Sequence, residues 1–84
     1  MITEKEAVWM TKIDAFKETI NIDIAMKRGM MNRDVESIRN CIDSDPVAFA
    51  DQILSYAEDL SRLKNEIINL KSTLSMLDAI KVSE

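Results

Sequence analysis

The sequence predicts an all-α chain. Two N-terminal helices, over about residues 4–28 and 33–42, pack on the start of a long C-terminal helix, about 46–82, that forms a coiled-coil oligomer. Three observations carry this expectation. The 84 residues contain one Gly and one Pro, too few for a turn-rich β fold. Hydrophobic residues make up 46% and charged ones 31%, a balance that folds rather than staying disordered. Finally, apolar residues recur at alternating spacings of four and three along the C-terminal half.

The first helix opens at Thr3, with Glu6 three residues on completing a capping box for the free N–H groups. Trp9, Ile13, Phe16, Ile20 and Ile24 then follow a 3.6-residue period. Lys27 and Arg28 suit the negative end of a helix dipole, and Gly29 is the residue best able to take a left-handed cap. A break is therefore expected at Gly29. Asn32 is the next N-cap candidate, with Asp34 and Glu36 near the new helix start and Val35, Ile38 and Ile42 as its apolar face. Ser44-Asp45-Pro46 closes that second helix, since Pro46 disfavours a helical Asp45. The same tripeptide opens the third, with Asp45 as cap and Pro46 in the first turn.

From Pro46 onward the chain contains neither Gly nor Pro. Phe49, Ile53, Tyr56, Leu60, Leu63, Ile67, Leu70, Leu74 and Leu77 hold a strict heptad, with Ile53, Leu60, Ile67 and Leu74 at a. These nine are the expected oligomer interface. Val47, Ala50, Leu54 and Ala57 widen the early part of the stripe, enough to be buried against helices one and two. Beyond Leu60 the stripe narrows and is flanked by Lys64, Glu66 and Lys71, as a coiled-coil seam requires. In a parallel dimer Asp59 would meet Lys64, and Glu66 would meet Lys71, across the seam. Dimer is favoured, then trimer or tetramer. In the competing arrangement, helix one folds back along helix three as an antiparallel hairpin. That expectation leaves Leu70, Leu74 and Leu77 bare at the end of the longer helix.

Function is constrained mainly by what the composition lacks. There is no His, and Cys41 is the single cysteine, so the expected set contains no catalytic residue, metal ligand or cofactor. Cys41 reads as a small, mostly buried residue on helix two. Eleven Lys and Arg against fifteen Asp and Glu give a net charge of −4, which argues against nucleic acid. No apolar run is long enough to span a bilayer, and the opening residues are too acidic for a signal peptide; a cytoplasmic protein is expected. The whole of 1–84 is read as a single helical domain.

The function expected is that of a small self-associating helical interaction protein that regulates or scaffolds another protein, as an adaptor does. Its partner is not identified by the sequence. Trp9, Met26, Met30 and Met31 are the candidate partner-binding residues, because Trp anchors interfaces and Met adapts to them. The alternative is a helical oligomer that binds an anionic small molecule or nucleotide. It would use Lys27, Arg28, Arg33 and Arg39, gathered around the expected bend.

Overall fold

The computed structural model describes residues 4–80, with side chains from residue 11 onward. It contains two helices, α1 (Glu4–Ser44) and α2 (Ala50–Ala79). Lys17 meets Asp78, Lys27 meets Glu66, and the Cys41 thiol lies 3.9 Å from Gln52 Oε1. Partners that recede in this way define an antiparallel hairpin. Its extents are 65 × 15 × 12 Å, a rod two helices wide.

The break expected at Gly29 is absent: α1 runs unbroken for 41 residues through the segments read as helices one and two. One glycine inside a helix costs roughly 1 kcal/mol relative to Ala, too little to outweigh continuous hydrogen bonding and packing. The true inward row of α1 is not purely apolar. Ile13, Lys17, Ile20, Ile24, Lys27, Met31, Asp34, Ile38 and Cys41 are all buried or half-buried, at alternating spacings of four and three. This heptad passes straight across Gly29, but Lys17, Lys27 and Asp34 occupy three of its positions. Phe16, placed on the expected stripe, is 52% exposed because Lys17 takes the inward position.

A Cβ added at Gly29 would meet nothing within 4 Å. Gly29→Ala is therefore expected to raise the melting temperature by a few degrees, from roughly 0.5–1 kcal/mol of added stability. Thermal circular dichroism checks this; a lower melting temperature would show that Gly29 holds a bend or a close helix approach.

The second correction concerns the connection. Asp45 does cap, but it caps a turn: its Oδ1 accepts the N–H groups of Val47 at 3.1 Å and Ala48 at 3.2 Å. The Phe49 N–H donates to the Asp45 carbonyl at 3.0 Å, and α2 begins at Ala50, four residues after Pro46. At the other end α2 stops at Ala79, short of the expected 82, where the Ile80 N–H donates to the Leu77 carbonyl at 3.1 Å. Thr3 and Val82 lie outside the described residues.

The third correction concerns the seam. All nine heptad residues of α2 are buried or half-buried, and they face α1 of the same chain. Leu63 is 1% exposed and Ile67 7%; Ile20 and Ile24 of α1 are 4% and 6%. Leu70, Leu74 and Leu77, which the hairpin arrangement was expected to leave bare, pack with Met31 against the Ile20–Ile24–Ile67 cluster. The length argument fails because α1 is the longer helix. Lys17 lies beside Asp78, so the part of α1 before about residue 15 projects past the end of α2. The breadth of the early α2 stripe also finds no second neighbour: Leu54 is 59% exposed and Val47 85%.

Candidate interaction surfaces

The inward charges of α1 resolve by reaching sideways. A lysine on a helix seam lays its alkyl stem on apolar neighbours and carries its ammonium to the edge. Lys17 Nζ reaches Asp78 Oδ1 at 2.7 Å, and Lys27 Nζ reaches Asp23 Oδ1 at 3.0 Å and Glu66 Oε1 at 3.3 Å. These carboxylates raise both lysines above the ordinary range, through hydrogen bonds first and Coulombic attraction second. On α2, Arg62 bridges Asp59 and Glu66, each at 2.6 Å. Hydrogen bonds from Arg62 and then Lys27 hold Glu66 below the usual carboxylate range. Asp59 and Glu66, read as partners for Lys64 and Lys71 of another chain, are thus engaged within this one.

Asp34 is the misfit in that flank. Its carboxyl meets that of Asp59, and its Oδ2 is buried without a hydrogen-bond partner. The contact with Asp59, then burial, raises Asp34; the same contact, then Arg62, lowers Asp59. Because its folded pKa is raised, Asp34 favours folding at pH below the ordinary Asp range, and that contribution is lost as pH rises through the folded pKa. At neutral pH the carboxylate opposes folding.

Asp34→Asn supplies a neutral N–H donor to Asp59 and should raise the melting temperature at pH 7 by about 4 °C, typical of relieving one poorly satisfied polar group. The gain over wild type should shrink as pH falls towards the carboxylate range, as Asp34 takes up its proton. Melting curves at neutral and mildly acidic pH decide this; a variant less stable at both would contradict it.

The opposite flank has a different character. A groove of about 450 Å³ runs between the helices there, with Met31, Ile67 and Ile68 at its floor and edge. Arg28, Lys64 and Lys71 rim it. None of the ion pairs among the described residues uses these three cations. One flank of the hairpin is compensated; the other carries unmatched positive charge in a chain whose net charge is −4.

The four basic residues expected around a bend are therefore dispersed along a straight helix. Lys27 is bound to two carboxylates, and Arg39 lies 3.6 Å from Glu36. Arg28 joins the groove, whereas Arg33, five residues on, falls on a different face. Lys64 and Lys71 were legible only as flanks of a coil, since their approach to Arg28 depends on the hairpin.

A second apolar surface lies on the outside of α1. Ile22 is 55% exposed and Met26 64%, with Phe16 and Met30 also exposed on the same side. Of the candidate partner-binding residues, Met26 and Met30 belong to this surface, and Met31 packs inward and lines the groove. The Trp9 side chain lies outside the described residues. Cys41 is half-buried at the seam. No helix is long and apolar enough to cross a membrane, among the described residues.

No family model, curated protein or solved structure matches this chain.

Proposed function

We propose that this chain is a self-associating helical interaction module, one that acts by binding another protein as a regulator or scaffold. A single observation carries the reading. Among the described residues only Ile20, Ile24, Leu63 and Ile67 are buried, and of these only Leu63 completely, while ten large apolar side chains stand exposed. Two helices enclose a line of contacts but no interior, and small domains with so little core usually gain stability by association. The outer stripe of α1, with Ile22 and Met26 at its centre, is the surface we assign to a second copy. It carries apolar side chains at helical spacing that the described residues leave exposed.

An enzymatic reading has less support. The nearest arrangement to acid–base chemistry is the Asp34–Asp59 pair, and we read it as structural because Arg62 holds Asp59 and Asp34 sits on the helix seam. Light scattering across a concentration series tests the proposal. The expected mass is a multiple of 9.6 kDa; a folded single chain at every concentration would contradict self-association.

A further inference from the structure

We propose that the groove between α1 and α2 is a docking site for an acidic amphipathic helix of a partner protein, an inference that rests on the interaction-module reading and names the partner's chemistry. Charge complementarity selects this occupant. Arg28, Lys64 and Lys71 stand around Met31, Ile67 and Ile68, and none is paired with a carboxylate among the described residues. A helix with an apolar stripe flanked by Glu or Asp satisfies both features together. Its apolar side chains cover Ile68, 52% exposed, while its carboxylates reach the three cations.

The shape of the hairpin favours a helix over a small anion. A rod 15 × 12 Å in cross-section supplies two walls and no roof, so a compact ligand would keep much of its surface in water. A third helix lying lengthwise supplies its own third wall. The strip continues beyond the groove: Ile42 lies fourteen residues from Arg28, and Leu54 fourteen from Ile68, each about four turns along the same face. Both are exposed, at 49% and 59%. The occupant would therefore run towards the connection between the helices, touching Leu54 and Ile42 after Ile68. The early α2 stripe, too broad for α1 alone, gains its second neighbour in this way.

The test uses two labelled helical peptides of about 21 residues, both with Leu at a and d. One carries Glu at the flanking positions and the other Lys. Fluorescence anisotropy with the full chain should show the acidic peptide binding at least about tenfold more tightly, with affinity falling as salt is raised. The triple substitution Arg28→Glu/Lys64→Glu/Lys71→Glu should reverse that preference while circular dichroism remains helical. If it unfolds, Arg28→Gln/Lys64→Gln/Lys71→Gln should abolish the preference instead.

Absence of acidic-peptide binding, equal binding of the two peptides, or indifference to both triple variants would overturn the proposal. So would a change in the chain's own mass on charge reversal, which would make the groove a contact between copies. A chain that stays monomeric yet binds the acidic peptide would leave the groove standing and remove self-association. A chain that assembles and ignores the peptide would do the reverse.

Discussion

Replacing Leu63 by Ala is expected to unfold the chain at room temperature or bring it to the edge of unfolding. Leu63 is 1% exposed, the most deeply buried side chain described, and the antiparallel register sets it opposite Met31 at the centre of the seam. Truncating a buried leucine typically costs about 2–5 kcal/mol, through lost transfer energy and the cavity left behind. A core this small rarely supplies more than about 3–5 kcal/mol in total, so one residue can remove most of it. Ile68→Ala is the matched control. At 52% exposure its loss should leave stability nearly unchanged, typically within about 0.5 kcal/mol for a surface site. Urea titration followed by circular dichroism compares the two; equal midpoints would mean that the seam is not where the stability lies. The same burial predicts that Leu63→Glu unfolds the hairpin rather than separating folded copies.

The double variant Ile22→Glu/Met26→Glu is expected to do the opposite, separating copies while leaving the hairpin helical. Both residues lie on the outside of α1, 55% and 64% exposed, and neither belongs to the nine seam positions. In a symmetric assembly each substitution acts on both copies. Fully burying an apolar side chain of this size contributes about 1.5–3 kcal/mol, so even partial burial in two copies predicts at least about a hundredfold weaker association. Sedimentation should show the variant as a single chain with helical content retained. Unchanged mass would place the contact between copies elsewhere.

The two helices differ in how openly their sequences declare themselves. On α2, all nine seam positions from Phe49 to Leu77 are apolar or aromatic, and hydrophobic period alone locates them. On α1 the matching row is interrupted by Lys17, Lys27 and Asp34, whose heads leave the seam for carboxylates on the neighbouring flank. Asp23 is a local i,i+4 partner of Lys27, but the partners on α2 are distant in the chain: Asp78 lies 61 residues from Lys17, Glu66 39 from Lys27 and Asp59 25 from Asp34. With Lys27 and Asp34 removed from the apolar count, Gly29 stood in an apparent gap, and a helix end was the natural reading. Continuity came instead from packing, which tolerates a glycine and two charges when their neighbours along the seam are Ile20, Ile24 and Met31.

Met suits irregular core gaps as well as adaptable surfaces, so the sequence does not separate Met26 and Met30, which are exposed, from Met31, which packs inward. The grouping of Arg28 with Lys64 and Lys71 was not legible either, since it exists only once α2 has turned back on α1. The strict heptad and its flanking charges suit either a partner chain or the first helix as the neighbour of the nine-residue seam, and only the length of α1 separates the two. A helix end at Gly29 would leave the first helix too short to cover the whole seam, whereas the unbroken α1 is long enough to do so.

The concentration dependence of thermal melting tests most directly whether this thin hairpin is completed by another copy. If association stabilises the folded state, the melting temperature should climb steadily between about 5 and 200 μM for the wild-type chain and stay flat for Ile22→Glu/Met26→Glu. A wild-type melting temperature independent of concentration over that range, with the mass of one chain, would contradict the account.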